Sequence, residues 1–259
     1  MNILEKIVRD TKRRINDEFS DYSFSNTFSH QRRSLVNAIK VAKTTKIPII
    51  SELKPASPSE GIILEKYEPV EVACAMVRGG CVGISVLTEE RYFKGHTENL
   101  RKIRQNVTIP VLMKDFIVDE RQIYKAAEIG ADVVLLIPSI CPFEYFINLA
   151  ESYGMDALIE VHNKDEVKKV MDANIKLIGI NNRDLTRMKV NLENTKLLAP
   201  LIREYNENTV IVSESGIKSH EDARYVISHG ADGVLVGTSI MKSGDISSKI
   251  QEIAGGISS

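Results

Sequence analysis

Eight short apolar runs alternate with amphipathic segments, the chain resembles itself at a separation of 100 residues, and charged side chains recur where the apolar runs end. Together these predict an α/β fold, a (β/α)8 TIM barrel with an N-terminal helical extension. A length of 259 residues with 43% hydrophobic content suits one domain with a full core.

The strand candidates, in order, are IPIISEL (47–53), VGISVL (82–87), IPVLMKD (109–115), DVVLLIP (132–138), DALIEV (156–161), KLIGINN (176–182), TVIVSES (209–215) and DGVLVG (232–237). Each is largely apolar on both faces, as parallel strands are when helices cover one side and a core fills the other. The segments between them carry apolar residues at i, i+3, i+4 and i+7, the spacing of one helix face. An open doubly wound sheet alternates in the same way, but no GxGxxG follows the first strand.

The self-similarity favours closure. Ile123, Ala126, Ala127 and Gly130 form a helical stripe followed by GADVVLLIP, and Ala223, Val226, Ile227 and Gly230 form the same stripe followed by GADGVLVG. At that offset Lys114 corresponds to Glu214, each the first charged residue after an apolar strand. A strand–helix–strand unit repeated half a barrel apart fits a closed barrel of similar quarters, although helix-Gly-Ala-Asp-strand is also a common junction in which glycine caps the helix. Residues 1–45 are read as a helical extension capping one face of the barrel, and residues 46–259 as the barrel itself. The extension holds at least two helical stretches around a polar middle, DEFSDYSFSNTFSHQRRS.

Barrel enzymes place their chemistry at the C-terminal ends of strands. Glu52 and Lys54 stand at the end of the first strand, two apart and therefore on one side. Lys114 ends the third, Glu160 the fifth, Asn181 and Arg183 the sixth, and Glu214 the seventh. A barrel interior needs only apolar filling, and an unpaired buried charge is costly, so each charge requires a partner or a ligand. A lone charge there would be an ion pair; two lysines and three glutamates converging on one rim point to a site.

Ser215–Gly216 and Gly237–Thr238 follow the last two strands, where barrels bind phosphate through backbone N–H groups and a helix N-terminus. The long connection KPASPSEGIILEKYEP begins at Lys54 and is expected to act as a lid. Phe93 and Phe116 are the aromatics nearest the strand-end loops and could wall a flat ligand. The histidines show no metal-ligand spacing.

The net charge of −1 gives no field that would draw the whole molecule to nucleic acid or a membrane, so the expected partner is small. Cys74, Cys81 and Cys141 are odd in number and form no CxxC pair, which fits a reducing cytoplasm. The opening MNILEKIVRDTKRRIN lacks the apolar core of a signal peptide, and Glu5 and Asp10 count against a transit peptide.

The strings SELKPASPSEG, VLTEERYFKGHTENL, PVLMKDFIVDE, ALIEVHN, IGINNRDL, VSESGI and GVLVGTSIM each resemble, in order, a motif of the indole-3-glycerol-phosphate synthase family, and ILEKIVRDTKRRI resembles that family's N-terminal helix. The resemblance covers almost the whole chain. It implies decarboxylating ring closure on 1-(2-carboxyphenylamino)-1-deoxyribulose 5-phosphate in tryptophan biosynthesis, with no cofactor or metal, and admits contact with other enzymes of that pathway.

By that resemblance Lys114 is the general acid and Glu160 the general base. Lys54 would hold the substrate carboxylate and assist dehydration, Glu52 would position the lysines and the water or hydroxyl, and Asn181 and Glu214 would be supporting polar contacts. Ser57, Ser215, Gly216, Gly237 and Thr238 would bind phosphate or ribulose, Arg183 would make a lid or phosphate-side contact, and Phe93 and Phe116 would line the ring pocket. Three features depart from the family's pattern: Glu60 stands where a basic residue is frequent, His96 follows Gly95 where serine is common, and tryptophan is absent. Two rival readings remain at this stage, a phosphosugar barrel similar to phosphoribosylanthranilate isomerase and a non-catalytic sensor of phosphoribosyl ligands.

Overall fold

The computed structural model describes residues 3–20, 31–184 and 189–255. Eight parallel strands close into a barrel in chain order: β1 (Ile49–Leu53), β2 (Gly83–Leu87), β3 (Val111–Lys114), β4 (Val133–Leu136), β5 (Asp156–Val161), β6 (Leu177–Asn181), β7 (Val210–Glu214) and β8 (Gly233–Val236). Closure is made by β8 against β1, with Ile50 opposite Leu235. The ladders are a residue or two shorter than the sequence expectation at several ends. Pro48 and Pro110 have no N–H to give, and each instead contributes only a carbonyl, to Val234 and Ile84 respectively.

Among the described residues the extension holds two helices, α1 (Ile3–Glu18) and α2 (Leu35–Ala42), and nine follow the strands: α3 (Pro69–Arg78), α4 (Thr97–Asn106), α5 (Glu120–Ile129), α6 (Phe143–Ser152), α7 (Lys164–Val170), α8 (Glu193–Tyr205), α9 (His220–Ser228), the short α10 (Thr238–Met241) and the closing α11 (Ile246–Ala254). None is long and apolar enough to cross a membrane. The helices pack apolar stripes such as Ile123, Ala126 and Ala127 against the outward side chains of the strands.

The 100-residue echo is a structural one. Gly130 takes the left-handed conformation at the end of α5 (φ +89°), and Gly230 does so just after α9 (φ +105°). The aspartates that follow act alike: Asp132 accepts the Val111 N–H at 3.0 Å and Asp232 accepts the Ile211 N–H at 2.8 Å, so each ties the start of one strand to that of its neighbour.

The extension serves both ends of the barrel rather than one face. α1 lies by the C-terminal rim, where Arg14 reaches Asp115 (3.4 Å) and Asp10 pairs with Arg91 and Tyr92 (2.7 Å each). α2 seals the opposite end by inserting Leu35, Val36 and Ile39 among the interior residues Ile50, Leu112, Leu158, Val212 and Leu235. Asp156, at the start of β5, accepts the Leu35 N–H at 2.9 Å and anchors α2 by its N-terminus. Most of the polar middle of the extension, residues 21–30, lies outside the described residues.

Candidate active site

Strand pleating fixes which residues meet on the barrel axis. Glu52, Lys114, Glu160 and Glu214 come from β1, β3, β5 and β7, and alternate strands are what fill one interior layer of such a barrel. Two residues earlier on the same four strands stand Ile50, Leu112, Leu158 and Val212, all buried. The layer nearest the C-terminal rim is therefore charged and the layer beneath it apolar.

The intervening strands make room for it. A Cβ at Gly179 of β6 would lie 2.1 Å from Glu214 Oε1, and one at Gly237, just past β8, would lie 2.5 Å from Glu52 Oε1. Both glycines provide the volume that two carboxylates occupy.

Lys114 is the hub. Its Nζ stands 2.6 Å from Glu214 Oε2, 3.4 Å from Glu52 Oε2 and 4.0 Å from Glu160 Oε2. Burial by itself lowers its hold on the proton, but the three carboxylates outweigh burial and keep it well above the usual lysine range. Glu52 also takes Lys54 at 2.6 Å, and against the cost of burial the two lysines keep it ionised below the ordinary glutamate range. Burial likewise opposes the Glu160 charge, and His162 followed by Lys114 overcomes it and draws the group down. Glu214 goes the other way: burial, together with repulsion from Glu160 and Glu52, pushes it up in spite of Lys114. Its second oxygen, Oε1, is buried with no hydrogen-bond partner among the described residues, which is consistent with a group that resists ionisation.

Above this layer opens a cavity of about 730 Å³. Its wall includes Glu52, Lys54, Ser57, Phe93, Lys114, Phe116, Glu160, Asn181, Arg183, Ser215, Gly216, Gly237 and Thr238, so the sequence-derived set converges on one space. Glu214 is the exception; fully buried, it lies beneath the wall and reaches the cavity only through Lys114. Phe93 and Phe116 face each other with ring centroids 5.9 Å apart. Ser215 and Gly216 take consecutive left-handed conformations (φ +68° and +93°), a turn of the kind that presents backbone N–H groups to an anion. α1 contributes Ile3, Leu4 and Ile7 to the wall, and Leu87, Ile137 and Leu192 extend the apolar part.

Loop geometry is set by polar residues behind the wall. Buried Glu89 accepts the backbone N–H groups of Arg91 (3.0 Å), Tyr92 (2.7 Å) and Phe93 (3.0 Å), and the Phe93 carbonyl accepts the Ala56 N–H. The connection after β1 folds back as a small antiparallel ribbon, Ala56–Ser57 against Gly61–Ile62. Glu60 pairs with Lys242 at 2.6 Å across the cavity mouth, which gives the departure at that position a specific partner. His96 in turn caps α4, its Nδ1 accepting the Glu98 N–H at 3.1 Å in the manner of a serine.

Sequence reasoning missed several wall and support residues. Lys242, Lys218, Asp222 and Asp115 also line the cavity. His162 was passed over because it has no metal-ligand spacing, yet it is two residues beyond Glu160 and so lies on the same side of the strand; its Nε2 is 3.1 Å from Glu160 Oε1.

The family model described as indole-3-glycerol phosphate synthase matches residues 4–253. A relative of that name from Thermoanaerobacter sp. strain X514 is 40% identical over 261 residues, covering 98% of this chain and 99% of its own. Another from Methanocaldococcus jannaschii is 42% identical over 267 residues, covering 97% and 98%, and one from Geobacillus kaustophilus is 45% identical over 211 residues, covering 80% and 81%. Among solved structures, thiamine phosphate pyrophosphorylase from Pyrococcus furiosus superposes with a TM-score of 0.60 over 85% of this chain and 96% of that one, at 18% identity, a likeness of fold alone. With a family model spanning nearly all of its length and relatives this similar from end to end, the chain belongs to the indole-3-glycerol phosphate synthase family.

Proposed function

We propose that this cavity closes the indole ring of 1-(2-carboxyphenylamino)-1-deoxyribulose 5-phosphate, releasing carbon dioxide and water, as a carbon–carbon lyase of tryptophan biosynthesis. The observation that carries the reading is the single space shared by a protonated lysine ringed with carboxylates, a facing pair of phenylalanines and two glycine turns. The family match does not favour the isomerase or sensor readings.

In this account the phosphate sits at Ser215–Gly216 and Gly237–Thr238, with Ser57 and Arg183 beside it, and the anthranilate ring lies against the wall formed by Phe93 and Phe116. Lys54 holds the substrate carboxylate, and Glu52 fixes Lys54 and Lys114 in place. The ring carbon bearing the carboxylate attacks the sugar C2 carbonyl, and the oxygen develops negative charge. Lys114 donates to that oxygen. A lysine held this strongly protonated gives up its proton only to a more basic acceptor, which a formed alkoxide is, so it first stabilises the charge and then neutralises it. Loss of carbon dioxide restores the benzene ring. Lys54 gives the new hydroxyl the proton with which it leaves as water while Glu160 takes the proton from the adjacent carbon, completing the indole, and the proton on Glu160 then returns to the lysines. Asn181 donates to Glu160 Oε1 at 3.1 Å, and Glu214 supports Lys114 from below.

All these steps use side chains of one chain acting on a phosphorylated small molecule, and the three cysteines, free in the structure, fit a cytoplasmic enzyme. Incubation with the substrate while following indole fluorescence tests the reading. Product formation supports it; a folded protein that gives none refutes it.

A further inference from the structure

Glu160 is held from one side by a side chain that the reaction as described leaves out. His162 Nε2 stands 3.1 Å from Glu160 Oε1, off the line of a hydrogen bond, while its Nδ1 lies 3.1 Å from Glu166 Oε2. Glu166, from the first turn of α7, also accepts the His162 backbone N–H at 2.7 Å, so the ring is gripped at two points by one carboxylate. Asn194 of α8 donates to the carbonyls of both His162 (3.1 Å) and Asn181 (2.9 Å), which ties the ends of β5 and β6 together. The chain thus builds a carboxylate–imidazole–carboxylate line from α7 through His162 to the cavity.

The two oxygens of Glu160 are consequently unequal. Oε1 receives Asn181 Nδ2 and faces His162, whereas Oε2 takes no hydrogen bond among the described residues and lies 4.0 Å from Lys114. We propose that His162, gripped by Glu166, is a positioning residue for Glu160, its imidazolium standing against Oε1 and leaving Oε2 as the oxygen that accepts the substrate proton. The inference rests on the assignment of Glu160 as general base. Charge pairing supports it. Lys54 pairs with Glu52 and Lys114 with Glu214 at 2.6 Å each, while Lys114 is 4.0 Å from Glu160, which leaves the imidazolium, at 3.1 Å, as the cation nearest to Glu160. Although burial opposes it, contact with Glu160 and Glu166 raises the His162 ring well above the ordinary histidine range, so it is charged at neutral pH. The charged groups bearing on this line are Lys114 from β3, Glu214 from β7 and Glu166 from α7.

The sign is fixed by the geometry. A cation beside Glu160 favours its ionised form, so removing that cation makes the base harder to ionise and moves the acidic limb of the kcat–pH profile upward. For His162→Gln in the full-length enzyme the expected result is an acidic limb about one pH unit higher, so that kcat on the limb falls by up to roughly tenfold and recovers to a plateau above it, with KM changed less than about threefold. Glu166→Gln, which loosens the grip on the ring, should move the limb the same way by less, and decides the matter by itself if His162→Gln does not fold. A limb that stays in place, with activity lost equally at every pH in the folded variants, overturns the inference. Glu160→Gln, measured alongside, separates the two readings. If it abolishes turnover while the limb stays fixed in the His162 and Glu166 variants, only the positioning role fails; if it keeps the wild-type profile, the base assignment fails and the inference with it.

Discussion

Lys114 Nζ stands 2.6 Å from Glu214 Oε2, and the two residues occupy equivalent places in halves of the barrel 100 positions apart. The internal repeat has placed opposite charges at matching strand ends, and barrel closure brings them face to face across the axis. That arrangement makes Glu214 the least comfortable of the three carboxylates, buried beneath the cavity wall with one oxygen unpaired.

A pH dependence of stability follows. In the unfolded chain Glu214 titrates near 4.5, while burial in the fold pushes it up to about 7. The folded state therefore binds the extra proton more tightly; the stability this contributes is full below pH 4.5 and is lost as pH rises through 7. Glu214→Gln removes that loss and keeps an acceptor for Lys114. Urea melts at pH 5 and pH 8 should show the difference between variant and wild type tilting toward the variant at the higher pH, by on the order of 1 kcal/mol. A difference independent of pH would contradict the assignment.

The glycines that accommodate the carboxylates should tolerate no side chain. Gly179→Ala places a methyl 2.1 Å from Glu214 Oε1, so the carboxylate and with it Lys114 must shift. Stability is expected to fall by about 1–3 kcal/mol, and turnover by more than about tenfold. Gly237→Ala should act similarly through Glu52, where the new contact is 2.5 Å. Denaturation curves and steady-state rates check both; wild-type rates in Gly179→Ala would mean that Lys114 needs no fixed partner below.

Glu89 gathers three backbone N–H groups and so holds Phe93 in the wall. Glu89→Ala leaves those donors unpaired and frees the loop. The expected effect is a rise in KM of about tenfold with a smaller change in kcat, because ring binding rather than proton transfer is affected. Steady-state kinetics distinguish this from a kcat defect, which would place Glu89 nearer the chemistry.

Much of this was legible in the sequence, and the reasons are physical. Strands covered on both sides must be apolar throughout, so all eight stood out from helices with a 3.6-residue stripe. Pleating placed Glu52 and Lys54 on one side without coordinates, and the strand-end rule carried Lys114, Glu160 and Asn181 into the same cavity. Access was not legible, because Glu214 shares the parity, strand-end position and layer of its neighbours, yet its carboxylate is turned away from the cavity wall into space left by Gly179. His162 was illegible for another reason: its grip by Glu166 exists only once α7 packs beside β5. Nor could amphipathic stripes say that α1 and α2 go to opposite ends of the barrel, since a stripe specifies burial but not a partner.

The central claim is that Lys114, ringed by carboxylates in a phosphate-binding cavity, supplies the proton and the positive charge for ring closure. Turnover and binding of a phosphorylated substrate analogue, measured together on folded Lys114→Ala, test it most directly. The expected result is a turnover loss on the order of a thousandfold or more with analogue binding largely kept. Turnover near the wild-type rate, or binding lost in proportion to turnover, would contradict it.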